Sequence, residues 1–299
     1  MKKLATALAA VLTCGIFNAA QAADTLAKIK SAGKIVIGTR DSSAPLAYTV
    51  GDGKYVGYHV DVCNKIADAI KAELKAPALP VEYTVVTSAN RVPLVQNGTV
   101  DMECGSTTNN AARAQQVAFA PTTFVTNVRT AVKASSGITS IAQLKDKTVA
   151  TTTGTTSVQL LRKHEKASGV DFKELFGKDH ADSFLLLESG RADAFVMDDN
   201  ILAGLIVNSK NPTDFKIVGE SISEEPIAIM IPKDDPAYKK VVDNAVIGLM
   251  KSGELDKIYS KWFLSPIPPR NATVGMAMSP ALKNAIANPN DKPAEAYKK

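Results

Sequence analysis

Twice in this chain an apolar, strand-like run ends in a loop of glycine and hydroxyl residues that opens a helix. In the first, 98–102 runs into the stretch ECGSTTNNAAR, from Glu103 to Arg113. In the second, 148–150 runs into TTTGTTS, from Thr151 to Ser157. Parallel strands need long, usually helical crossovers between them. The repeated alternation of strand, loop and helix therefore predicts an α/β chain built on parallel sheet. Such loops present backbone N–H groups and hydroxyls at a helix start, where an anion is favoured. Arg113 adds a planar, permanently charged fork that can grip a carboxylate with two bonds.

The same alternation fills both halves of the chain. Expected strands are 34–38, 81–86 and 100–103, then 148–150, 191–196 and 216–218. Expected helices are 25–32, 61–75 and 92–97, then 158–166, 183–190, 200–210, 239–252 and 253–262. A hairpin is expected over 48–58, and polar loop within 171–184. Two further segments, 119–131 and 225–231, read as extended and are expected to pair antiparallel where the chain crosses between lobes. The tail from Asn271 is poorly specified by its Pro, Asn and Lys content. A chain of 299 residues, 45% of them apolar, is long enough for two domains of ordinary size.

Residues 1–22 read as a secretory signal: Lys2-Lys3, a mostly apolar stretch from Leu4 to Phe17, and Ala20-Gln21-Ala22 as a small-x-small cleavage site. Removing Lys2 and Lys3, the only charged residues of that segment, takes the net charge from +5 to +3. A surplus this small, without dense basic runs, argues against a nucleic-acid partner. Cleavage also leaves two cysteines, Cys63 and Cys104. An oxidising compartment could join them as a disulfide. Spacing alone leaves two buried free thiols as the alternative.

The motifs of catalysis are missing. There is no HExxH, CxxC pair, GxSxG, Walker A loop or GxGxxG. Ser31-Ala-Gly-Lys34 fits SxxK, but it sits at a helix end without its companion motifs. His59, His164 and His180 share no metal-ligand spacing. No cofactor is implied. The polar residues that collect at strand ends carry more information, because ligands of open α/β sheets sit there. The first half offers Arg40, Ser88, Arg91, Ser106, Thr108 and Arg113; the second offers Thr156, His180 and Asp198. Three arginines at successive strand ends imply a ligand with more than one negative group. Asp198 opposite them could hold an ammonium group. Two carboxylates and one amine describe an acidic amino acid.

These residues resemble a known family, the periplasmic solute-binding proteins of polar amino-acid ABC importers, and most of all its glutamate/aspartate-binding members. The resemblance covers roughly the whole mature chain. It is carried by Gly-Thr-Arg40-Asp-Ser-Ser, Thr-Ser88-Ala-Asn-Arg91-Val-Pro-Leu, Glu-Cys-Gly-Ser106-Thr-Thr108-Asn-Asn, Thr153-Gly-Thr-Thr156-Ser, Lys-Asp-His180-Ala-Asp-Ser-Phe and Met-Asp198-Asp. It implies the type II periplasmic-binding-protein fold, two α/β lobes joined by two extended hinge crossovers with the ligand in the cleft. The expected division is 23–125 plus 227–270 for lobe 1, 126–226 for lobe 2 and 271–299 for the tail. By resemblance, Arg113 grips the ligand α-carboxylate with Thr108 and Thr156, and Asp198 receives the α-ammonium with Ser106. Arg40, Ser88, Arg91 and His180 address the side-chain carboxylate. The implied protein is a periplasmic monomer that delivers glutamate or aspartate to inner-membrane permease subunits. The alternative is a cleft enzyme of the same fold, such as a cyclohexadienyl or arogenate dehydratase, which would need a general acid in the cleft.

Overall fold

The computed structural model describes residues 24–297, so the expected signal segment lies outside the described residues. Two five-stranded sheets organise the chain. In the first, Ile35–Thr39 lies between Val81–Val85 and Met102–Glu103, all three parallel. Met230–Ile231 then pairs antiparallel with Met102–Glu103, and Ala118–Phe119 closes the far edge. In the second, Thr148–Thr152 lies between Lys173–Gly177 and Ala194–Asp198, again parallel. The long strands Phe124–Lys133 and Phe215–Ile227 continue it antiparallel.

Both sheets are thus mixed, where the sequence predicted parallel ones. The reason is topological. The chain leaves the first sheet through Phe124–Lys133 and returns through Phe215–Ile227, so these two segments run against the strands they join. Their pairing matches the expected crossover: Glu225 lies opposite Thr126 and Ile227 opposite Phe124.

Three segments differ from the sequence reading. Lys173–Gly177 is an edge strand rather than loop. With one side of the sheet solvated, its charged residues hide the apolar signal. Phe215–Ile227 is one strand rather than two pieces, because a register shift between Val218 and Ser223 accommodates its polar middle. The tail forms a helix, Pro280–Ala287, capped by the Ser279 side chain and inserting Leu282 and Ala285 into the core. Beyond it, Thr122 N–H donates to Asn290 O at 2.9 Å and Ala294 N–H to Asn109 O at 2.8 Å. The end of the chain is therefore fastened to the loop that follows Met102–Glu103.

Helix caps fix where the elements begin. Asp235 accepts from Tyr238 N–H at 3.0 Å ahead of Pro236, which starts the 236–251 helix. Asp179 accepts from Asp182 N–H and makes His180 the first residue of the next helix. An aromatic cluster anchors the first crossover. Phe124 stacks on Phe263 at 5.0 Å between centroids, and Phe263 on Tyr259 at 4.4 Å. Beside it, fully buried His59 links Gly105 O at 2.5 Å to Thr123 Oγ1 at 2.9 Å. Burial pushes this imidazole down to about 4, so it serves as a neutral core bridge.

Cys63, in the helix Tyr58–Glu73, is bonded to Cys104, which follows the strand Met102–Glu103; their Cα atoms are 6.3 Å apart. The bond closes a sequence separation of 41 residues, for which restriction of the unfolded chain stabilises by roughly 2–4 kcal/mol. Urea unfolding with and without reductant, and of a Cys63→Ala/Cys104→Ala variant, should show a loss of that size. Superimposable curves would refute a stabilising role.

Candidate functional site

The cleft between the sheets is built from the strand ends of both. In the first sheet, Ile35–Thr39 delivers Arg40, which is 1% exposed. Its guanidinium donates to Ser88 Oγ at 3.0 Å and Ser106 Oγ at 3.3 Å. The Ser106 hydroxyl also meets Ser43 Oγ at 3.3 Å. Arg40 packs against Glu103 across Gly105. A Cβ on Gly105 would stand 2.2 Å from Glu103 Oε1 and 2.6 Å from Arg40 Cγ, so no side chain fits there. Thr87 and Asn90 bond each other's backbone N–H groups in a short turn. That turn sets Arg91 at the first position of the helix Arg91–Gln96, 2% exposed.

In the second sheet, Thr148–Thr152 ends in the loop that opens the helix Thr156–Ser168. Gly154 in that loop has a φ of +81°, and an added Cβ would lie 2.7 Å from the Ala89 backbone of the opposite lobe. Gly204 is pressed against Ala44 O in the same way. The lobes therefore meet at two points where only glycine leaves room.

His180 joins the halves across the cleft. Its Nε2 lies 3.3 Å from Arg40 Nη2 and its Nδ1 3.0 Å from Thr152 Oγ1. A guanidinium only donates, so Nε2 must accept and the ring proton sits on Nδ1. Burial, then the Arg40 and Arg91 charges, hold His180 well below the usual imidazole range.

Two adjacent acids at the end of Ala194–Asp198 have separate tasks. Asp199 accepts from Thr126 Oγ1 at 3.0 Å and from Asn127 N–H at 3.3 Å, and ties its helix to the first crossover. Asp198, 4% exposed, makes no capping bond and faces the cavity. Burial, then repulsion from Glu225 and Asp199, push its carboxyl well above the usual range.

Glu225, on the second crossover and 3% exposed, accepts from Thr108 Oγ1 at 2.7 Å and Thr156 Oγ1 at 2.8 Å. Arg113 donates to Thr108 O at 2.9 Å and reaches Gly154 O at 3.4 Å. The space left between these groups is small, about 10 Å³. Of the sequence-predicted residues, Ser88, Arg91, Ser106, Thr108, Thr156, His180 and Asp198 line it. Arg40 stands behind Ser88 and Ser106, and half-buried Arg113 stands at the lobe junction. Thr155 and Met197 line the space without having been anticipated. Neither Glu225 nor Glu103 was placed among the binding residues by sequence reasoning. An acid flanking Pro226 in an otherwise apolar extended segment was the available signal for Glu225.

Two buried guanidinium groups, Arg40 and Arg91, repel each other in the first half of the site. Burial, then repulsion from Arg91, push Arg40 down to about 10, and burial lowers Arg91 as well. Arg91 Nε and Nη1 are buried with no hydrogen-bond partner among the described residues. An unpaired buried donor on a charged group is costly, and a carboxylate placed in this space would satisfy it.

Residues 35–265 match the bacterial extracellular solute-binding proteins, family 3. Over 98% of its length the chain is 45% identical to the glutamate/aspartate import solute-binding protein of Escherichia coli K12, covering 98% of that protein. It is likewise 45% identical to the L-glutamate/L-aspartate-binding protein of Pseudomonas aeruginosa, covering 98% of this chain and 97% of that protein. The crystal structure of an ancestral amino-acid-binding protein, described as a precursor of cyclohexadienyl dehydratase, matches with a TM-score of 0.68 at 26% identity over 80% of this chain and 99% of that one. With the cleft between two mixed sheets and this match over most of its length, the chain belongs to the bacterial extracellular solute-binding proteins, family 3.

Proposed function

We propose that this chain is the binding component of an ABC importer, capturing L-glutamate or L-aspartate in the periplasm and handing it unchanged to inner-membrane permease subunits. The observation that carries the reading is Arg91: a buried guanidinium lining the cleft with two nitrogens unpaired. A ligand carboxylate completes it, with Ser88 beside it and with Arg40 held in place by His180. The relatives named for glutamate and aspartate, 45% identical over nearly the whole chain, support the ligand class. Asp198 takes the α-ammonium, and Ser106, which accepts from Arg40, stays with the arginine side of the site. The α-carboxylate goes to Arg113 and to the start of the helix Thr156–Ser168, where first-turn N–H groups lack intrahelical acceptors. In this reading the protein acts as a monomer, with 23–125 plus 227–270 as one lobe and 126–226 as the other.

The chain is a binding protein, not an enzyme. A dehydratase needs a proton donor at the reacting group. Neutral His180 points its lone pair at Arg40 instead, and Glu103 is fully buried behind Gly105.

Calorimetry on protein stripped of ligand by unfolding and refolding should detect binding of both amino acids; heat from neither would overturn the proposal. Arg91→Met should weaken binding by about 2–5 kcal/mol, as for one side of a buried charge pair. An affinity equal to wild type would remove Arg91 from the site.

Asp198 gives a pH dependence of defined sign. Its carboxyl is raised in the empty site, and an ammonium partner favours the ionised form, so binding releases a proton. Affinity should therefore rise with pH through the titration of Asp198 in the empty site and fall on acidification. Titrations in two buffers of different ionisation enthalpy measure the released proton, which Asp198→Asn should eliminate. Proton uptake on binding would contradict the assignment.

A further inference from the structure

Thr108 and Thr156 come from opposite sides of the cleft, yet both hydroxyls turn to the same oxygen. Each donates to Oε2 of Glu225, at 2.7 and 2.8 Å. A carboxylate accepts and cannot donate, and a threonine hydroxyl has one proton and two lone pairs. With that proton directed at Glu225, each hydroxyl can offer the cavity only lone pairs. Both threonines line the cavity together with Asp198. The carboxylate is held where it can do this. Thr108 bridges Ile227 on the second crossover, Asn109 N–H donates to Pro226 O at 2.9 Å, and Glu225 pairs with Thr126.

We infer that Glu225 is a positioning residue for the amine end of the site: by taking the protons of Thr108 and Thr156 it makes both hydroxyls acceptors, which together with Asp198 set three acceptors toward an ammonium group. An ammonium carries three donors, so the set matches an amino acid and disfavours the same dicarboxylate without its amine. The ligand α-carboxylate is then received by Arg113 and backbone N–H groups rather than by the two hydroxyls. Because one hydroxyl comes from each lobe, the acceptor set is complete only when the lobes are together. Amine recognition is in this way tied to closure. The inference rests on the reading that an amino acid occupies the cleft.

The test compares each amino acid with its deaminated counterpart: L-glutamate with glutarate and L-aspartate with succinate, titrated into wild type and Glu225→Gln. The carboxamide of that variant can donate as well as accept, which frees a hydroxyl proton for the cavity. The affinity ratio of amino acid to deaminated acid should fall by at least about tenfold, or 1.4 kcal/mol. The deaminated acids should bind as well as before or better. Equal losses for both members of a pair leave the ratio unchanged; that result would mark Glu225 as merely structural and overturn the inference. Should Glu225→Gln fail to fold, Thr108→Val/Thr156→Val, which removes the acceptors and keeps the carboxylate, should give the same selective loss. A retained ratio there would also overturn it. A wild type that binds neither amino acid overturns the proposed function and this inference together, whereas wild-type binding with an unchanged ratio in the variants overturns this inference alone.

Discussion

Guanidinium groups gathered around one small cleft repel one another, and much of the surrounding structure answers that repulsion. Arg40 and Arg91 are almost wholly enclosed, and the charge of Arg91 bears directly on Arg40. Three carboxylates are set around them: Glu103 behind Gly105, Asp198 at a strand end of the second sheet, and Glu225 on the returning crossover. These acids come from three separate parts of the chain, so the charge distribution of the cleft exists only when both sheets and the crossover are in place. In the proposed reading, ligand carboxylates complement the guanidinium groups and an ammonium complements Asp198.

The crossovers do more than connect. The first is pinned at its origin by the aromatic stack of Phe124, Phe263 and Tyr259 and by His59, which ties Thr123 to the binding loop at Gly105. The second carries Glu225 to hydroxyls on both sides of the cleft. Glu225 lies on the strand that links the lobes, and its bond from Thr108 spans the two of them. Gly154 and Gly204 let backbone meet backbone between the lobes.

Most strands and helices were legible because their apolar runs and loop chemistry are strong local signals. Residues at strand ends were legible for the same reason: a hydroxyl-rich loop after an apolar run marks a strand's C-terminal end, and seven of the nine residues named there line the cleft. Less could be read where one feature depends on distant partners. The edge strand Lys173–Gly177 lacks an apolar run because half of it faces solvent. The strand Phe215–Ile227 is interrupted by polar residues that only its partner's register explains. Thr108 and Thr156 read as hydroxyls available to a carboxylate, and only the position of Glu225, 117 residues from one and 69 from the other, reveals where their protons point. Sequence spacing left the pairing of Cys63 with Cys104 open, since it is the approach of the Tyr58–Glu73 helix to the binding loop that brings the sulfurs together.

The fastening of the C-terminal segment has a practical consequence. Asn109, one residue from Thr108, donates through its side chain to Asp291 O at 2.8 Å and accepts from Ala294 N–H, while Glu295 takes the Ala111 N–H at 3.0 Å. A reporter dye or fluorescent domain appended after this segment would be mechanically linked to a loop that lines the cleft. The carboxyl end is thus a natural place to build an optical sensor of occupancy, and a poor place for an inert purification tag.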